Sequence, residues 1–147
     1  MNQKVNQGPG RITDANENGV IDGGDVLRAW SDGVDSDGNG YTDDLIGWDF
    51  VNNDNDPMDD SGHGTHGAGV LVQVTPRIEV LALKFLDSNA VGSLSDARRA
   101  LDYALAQGVT ISSNGWAASV FSQEWLEELR KAEAAGHLFV TAAGNGD

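Results

Sequence analysis

Apolar and polar positions divide this chain into two textures, with the change at Ser61. Beyond it, Ile78-Glu-Val-Leu-Ala-Leu-Lys-Phe-Leu86 is an almost continuous apolar run, the pattern of a strand covered on both faces. Val109 to Asn114 and His137 to Ala142 are two further strand candidates. Between them the apolar spacing turns helical. Ala97 to Gln107 places Ala100, Leu101, Ala104 and Leu105 on one face, and Gln123 to Ala135 does the same with Trp125, Leu126 and Leu129. Ser93-Leu-Ser-Asp96 and Ser122 supply amino-terminal caps, and Gly108 and Gly136 stop the two helices. A helix of small residues is predicted to begin at His63. Strands alternating with helices predict a three-layer α/β fold around a parallel sheet of 78–86, 109–114 and 137–142. Its core is expected to hold Leu81, Leu83, Leu101, Leu105, Ile111, Leu126, Leu129 and Val140.

Upstream of Ser61 the pattern is polar. Residues 1–13 read as a flexible lead-in, and 14–60 are rich in Asp, Asn and Gly. That stretch holds one short helix candidate around Val26, Leu27 and Trp30, and one strand candidate, Gly47 to Val51. One domain is expected overall, with an acidic region at 1–60 and an α/β core at 61–147. Composition adds a constraint on partners. A formal net charge of −14 repels nucleic acid and anionic membrane surfaces and favours cations. Most of the acid lies before Ser61, so it has a local purpose. The chain has no cysteine, which excludes disulfides and thiol chemistry. Met1 to Gly10 contains no apolar stretch of the signal-peptide kind.

Two acidic loops are the first candidates for chemistry. Asp14-Ala-Asn16-Glu-Asn18-Gly19-Val20-Ile21-Asp22-Gly-Gly-Asp25 matches the EF-hand calcium loop nearly position by position. Oxygen side chains stand at loop positions one, three and five, glycine at six, a backbone carbonyl (Val20) at seven, and an acid at nine and twelve. Calcium takes six to eight oxygens, and alternating ligands wrap one turn of chain around it. The closing acid is Asp25, shorter than the Glu normal at that position. The second loop, Asp35-Ser-Asp37-Gly-Asn39-Gly40-Tyr41-Thr-Asp43-Asp44, opens in the same way, with the Tyr41 carbonyl at seven. Ile46 stands at position twelve, so Asp43 or Asp44 would supply its last ligand. A solvated Asp/Asn/Gly turn is the competing reading for each loop; five ligand-type residues at fixed offsets favour calcium.

The segment Asp60-Ser-Gly-His63-Gly-Thr-His66-Gly67-Ala-Gly69 is the most informative. Read from its residues, His63 is a capping or core histidine, half of a zinc pair with His66, or a general base. The zincin pattern places its histidines at i, i+4 around a Glu, and here the spacing is i, i+3. His-Gly-Thr-His-x-Ala-Gly resembles the histidine signature of the subtilisin-like serine proteases. Gly47 to Pro57, Leu81 to Asp87 and Ala142-Ala-Gly-Asn145 resemble further segments of that family in the right order, from about Asp35 to Gly146. The resemblance implies a subtilisin-like fold, peptide or protein substrates, and often calcium. On it His63 corresponds to the catalytic base and Asn145 to the side-chain donor of the oxyanion hole. It also implies that Asn114-Gly115-Trp116-Ala117 pairs with substrate as an added strand, and that the protein is extracellular.

Three departures qualify the resemblance. None of the ten serines has the family's Gly-Thr-Ser context, which in the family follows the oxyanion asparagine. The family's catalytic aspartate ends an apolar strand. Val20-Ile-Asp22-Gly23 is similar for four residues, but Asp14 to Gly19 are polar and unsuited to a buried parallel strand. That aspartate is therefore expected upstream of Met1. Ala117 and Ala118 stand where the family has glycines that let substrate approach closely. The expectation is a truncated or degenerate family member without peptidase activity of its own. The alternatives are a calcium-binding interaction module and one half of a split protease. On the resemblance, the aspartate strand lies between 78–86 and 109–114. Without it those strands would pair directly or leave open edges, a route to self-association.

Overall fold

The computed structural model describes residues 12–118 and 120–145; the expected lead-in, apart from Ile12 and Thr13, lies outside them. Along the chain come α1 (Gly23–Trp30), β1 (Gly47–Asp49), α2 (His63–Val74), β2 (Ala82–Lys84), α3 (Leu94–Ala106), β3 (Ile111–Asn114), α4 (Gln123–Ala134) and β4 (Leu138–Thr141). The architecture is α/β with parallel strand pairing. β1 pairs with β2 through Gly47–Ala82, Trp48–Leu83 and Asp49–Lys84. β3 pairs with β4 from Ile111–Leu138 to Asn114–Thr141.

Helix boundaries follow the caps. Ser93 accepts the Asp96 N–H at 3.0 Å, so α3 begins at Leu94, three residues before its apolar stripe. Ser122 accepts the Trp125 N–H at 3.2 Å, and Gly108 and Gly136 take positive φ of 73° and 78° just past α3 and α4. The strands are shorter than the apolar runs, because only the segments beside a partner strand form ladder bonds.

The core forms where the acidic region meets α3. Trp48 and Phe50 pack with Ala100 and Tyr103, bordered by Tyr41, Leu81, Leu83 and Phe85. Tyr41 meets Trp48, Phe50 and Tyr103 edge-on, with ring centroids 4.8–6.0 Å apart. The two halves read from the sequence thus share one core. A second aromatic cluster, Phe85, Trp116, Trp125 and Phe139, joins the end of β2 to β4 and α4.

β2 and β3 do not pair with each other; the strands form two two-stranded sheets. Between them lies a cavity of about 50 Å³ lined by Leu83 and Phe85 on one side and Ser112, Asn114 and Trp116 on the other, with α3 beneath.

The expected core list needs correction. Leu101 is buried, and Leu81, Leu83, Leu105, Leu126 and Leu129 are partly buried. Ile111 and Val140, however, are 60% and 48% exposed. A strand presents alternate residues to opposite faces, and Ser112 and Phe139 take the covered face. Ile111, Leu138 and Val140 fall on the other, which no described element covers. α2 lies equally bare and buries none of its side chains. Among the described residues no helix is long and apolar enough to cross a membrane.

Candidate active site

His63 is the first residue of α2, preceded by Gly62 in the left-handed conformation at φ 85°. Its ring is solvent-exposed and lies against Gly115. A Cβ built at residue 115 would stand 3.0 Å from His63 Cε1 and 3.8 Å from Nε2. Glycine at this position therefore makes room for the imidazole. Asn145 follows β4 and is exposed. Its neighbour Gly144 lies against Ala117, whose Cβ is 3.8 Å from a Cβ built at 144. His63, the 114–117 segment and the 142–145 segment, distant in sequence, therefore come together at the carboxyl ends of β3 and β4. Parallel α/β sheets place their ligands at such ends.

Within 114–117 the polar and aromatic side chains are already engaged. Asn114 Nδ2 donates to Ser112 Oγ at 2.8 Å and to the Val140 carbonyl at 3.1 Å. The Trp116 indole is packed among Phe85, Trp125 and Phe139. What Asn114, Gly115, Trp116 and Ala117 can offer a peptide is backbone. At the other end of the strands, buried His137 has Nδ1 2.8 Å from the Val109 carbonyl and Nε2 2.8 Å from Ser112 Oγ.

Sequence reasoning missed the carboxylates that hold the histidine loop. Asp59 accepts the backbone N–H groups of Ser61 and Gly62 at 3.0 Å and of Thr65 at 2.7 Å. Its hydrogen bonds from Thr65, side chain and backbone, hold its carboxyl well below the usual carboxylate range. Lys84 Nζ stands 2.8 Å from Asp49 and 2.9 Å from Asp60. Burial pushes the Asp49 carboxyl upward, but Lys84 and the N–H groups of Asn52 and Val51 outweigh it, so its pKa is lowered. The available signal was an acid four residues before His63, at the start of a helix without another cap.

The acidic loops are folded around their first aspartates. Asp14 accepts the N–H groups of Asn18 and Gly19 at 3.0 and 2.9 Å, and Asn18 Oδ1 accepts that of Val20 at 2.8 Å. Asn16 Oδ1 also accepts from the Asn18 N–H. Asp25 is fully buried and accepts from the backbones of Ala15, Asn16 and Asp22. Its pKa is lowered, chiefly by the Asp22 N–H. No strand precedes Asp22 among the described residues; it caps α1, accepting from Gly24 N.

In the second loop Asp35 accepts from Gly38, Asn39 and Gly40, and Asn39 Oδ1 from Tyr41. Asp43 turns away, accepting the N–H groups of Asp32 and Gly33 at 3.0 and 2.6 Å. Asp44 turns inward. Its Oδ2 receives Asn39 Nδ2 at 2.7 Å and the Tyr103 hydroxyl at 2.5 Å, whereas its buried Oδ1 has no hydrogen-bond partner. Burial, then the Asp44 charge, raises the pKa of Asp37. Among the described residues no three His, Cys, Asp or Glu side chains converge on one metal position.

His63 at the start of α2 and Asn145 after β4 thus stand by the carboxyl ends of two paired parallel strands. The comparisons agree on the family. The pattern of the subtilase family matches residues 14–147, so the chain belongs to the subtilases, with a subtilisin-like α/β fold. It is 32% identical over 123 residues to subtilisin-like protease 1 of Plasmodium vivax, covering 77% of this chain and 20% of that protein. Thermitase of Thermoactinomyces vulgaris is 33% identical over 109 residues, covering 67% and 39%. The thermophilic serine proteinase of Bacillus sp. strain AK1 is 35% identical over 111 residues, covering 69% and 28%. The chain thus spans about a fifth to two fifths of these relatives.

Proposed function

We propose that this chain is the portion of a subtilisin-like serine endopeptidase that carries the base and the oxyanion donor, and that by itself it does not cleave peptides. The observation that supports the reading is the convergence of His63 on Gly115 and of Gly144 on Ala117. In the reaction His63 would take the proton of a serine hydroxyl and return it to the leaving amine. The Asn145 amide would donate to the oxyanion, an interaction worth ~3–4 kcal/mol at the transition state, while 114–117 pairs with the peptide. A serine is a poor nucleophile until an oriented imidazole accepts its proton. Among the described residues neither ring nitrogen of His63 is hydrogen-bonded to a serine or a carboxylate. A second segment bearing Asp and Ser, as in a split enzyme, would complete the set. No turnover above background is expected on peptide substrates, and no labelling by serine-directed phosphonates. A stoichiometric adduct on one serine, abolished by His63→Ala, would overturn this.

The loops are read as calcium sites, a role that would stand even in an interaction module without catalysis. Asp44 carries the argument. A buried carboxylate oxygen without a partner costs about 1–3 kcal/mol, and a cation at that oxygen would remove the cost and relieve the crowding of Asp37. In the second loop Asp35, Asp37, Asn39, the Tyr41 carbonyl and Asp44 would be ligands, with Asp44 rather than Asp43 last. In the first they would be Asp14, Asn16, Asn18, the Val20 carbonyl, Asp22 and Asp25. Calcium at a hundredfold its Kd should stabilise the chain by about 2.7 kcal/mol per site, read as a rise in melting temperature that chelator reverses. Asp14→Ala and Asp44→Ala should each remove one site's share. An unchanged melting curve across the titration would refute the assignment.

A further inference from the structure

We infer that Lys84 and Asp60 are positioning residues for His63, an ion pair that transmits the position of the β1–β2 sheet to the first turn of α2. The need for such a device follows from α2 itself. Its twelve residues bury no side chain, and Cβ atoms built at Gly67 and Gly69 would meet nothing within 4 Å. Packing along its length therefore holds the helix only loosely, since even its better-covered residues stay partly exposed, and its amino terminus carries most of the positioning.

That terminus is tied at two levels. Asp59 receives the N–H groups of Ser61, Gly62 and Thr65, and the Ser61 hydroxyl at 3.2 Å, so one carboxylate spans the turn that carries His63. A negative charge there also suits the positive end of the helix. The next residue, Asp60, is fixed by Lys84 Nζ at 2.9 Å. Lys84 is in turn fixed on β2, opposite Asp49 on β1, with the ammonium 2.8 Å from the Asp49 carboxylate. Asp49 is fully buried and held by the N–H groups of Val51 and Asn52 and by Asn52 Nδ2. The Lys84 side chain is only 13% exposed, so the pair works in partial desolvation, where charge pairs are screened less than at the surface. From the sheet the path runs through Lys84 to Asp60, then along the backbone to Asp59 and the hydrogen-bonded turn that carries His63.

The inference rests on the reading of His63 as base for its purpose alone, and the experiment reads the ring directly, so either can fail without the other. The 147-residue chain, isotopically labelled, would be compared with Asp60→Asn and Asp60→Glu by NMR. Asp60→Asn removes the partly exposed arm and leaves the Lys84–Asp49 pair intact, so folding is preserved. In it, the Thr65 and His66 amides should exchange roughly fivefold faster, and the His63 ring signals should move. The α3 amides should hold their rates, and Asp60→Glu should restore both readouts. The inference is overturned if the ring signals and both amides are unchanged in Asp60→Asn. It is equally overturned if the loss spreads to α3, or if Asp60→Glu restores nothing.

Discussion

Phe50→Ala is expected to cost about 3–5 kcal/mol, a large part of the 5–15 kcal/mol that holds a typical domain folded. Phe50 is 2% exposed and is the largest fully buried side chain. Tyr41 and Tyr103 meet its ring edge-on at 6.0 and 6.1 Å, and the Arg99 guanidinium lies 5.3 Å from its centroid. Arg99 is also tied to Asp96 and Asn53, so the wall around Phe50 is poorly able to collapse into the space a truncation leaves. The lost transfer energy and the residual cavity therefore add. Urea denaturation measures the effect as a lower midpoint at unchanged slope. Phe121→Ala, at a residue 77% exposed, should shift the midpoint by less than about 0.5 kcal/mol. A similar cost for the two variants would show that the aromatic cluster is not the core.

Lys84→Met should be the second most damaging change. Breaking a buried ion pair by removing one partner costs about 3–5 kcal/mol, because the remaining charge stays buried. Three hydrogen bonds to Asp49 survive, which places the expected loss at about 3 kcal/mol, the low end of that range. Its pH dependence is distinctive. The Asp49 pKa in the folded chain lies below its ordinary 3.8. Its contribution is therefore present above the unfolded value and is lost as pH falls through the folded one. Lys84 is shifted upward from 10.5, so its contribution holds below that value and fades only as pH rises through the still higher folded pKa. The deficit of Lys84→Met relative to the parent chain should be largest near neutral pH. It should shrink below about pH 4, where Asp49 in the variant takes up a proton. Denaturant midpoints at pH 7 and pH 4 measure both arms; a deficit that grows on acidification would refute the assignment.

The local grammar of the chain was legible where one residue decides the geometry. Ser93, Ser122, Gly108 and Gly136 bound α3 and α4 because capping and positive φ are properties of single residues. His63, Asn145 and 114–117 were legible as a family pattern, and the structure sets His63 against Gly115 and Gly144 against Ala117. What stayed hidden depends on neighbours remote in sequence. Ile111 and Val140 read as core because an apolar run does not say which of its two faces will be covered. The pairing of Asp49 and Asp60 stayed hidden, since their partner, Lys84, lies more than twenty residues downstream. The contact that calls for glycine at position 115, the His63 ring, lies 52 positions away in the sequence.

The bareness of α2 has a consequence for cooperativity. Unfolding is all-or-none only among elements that share buried contacts. Trp48, Phe50, Tyr103 and α3 share them, and α2 contributes no buried side chain to that set. Glycine inside a helix also costs about 1 kcal/mol relative to alanine, and α2 carries Gly64, Gly67 and Gly69. The helix that bears the imidazole can therefore open while the aromatic core stays intact. A single melting temperature describes that core, and the order of the turn that carries His63 is a separate quantity, set by the few contacts at Asp59 and Asp60.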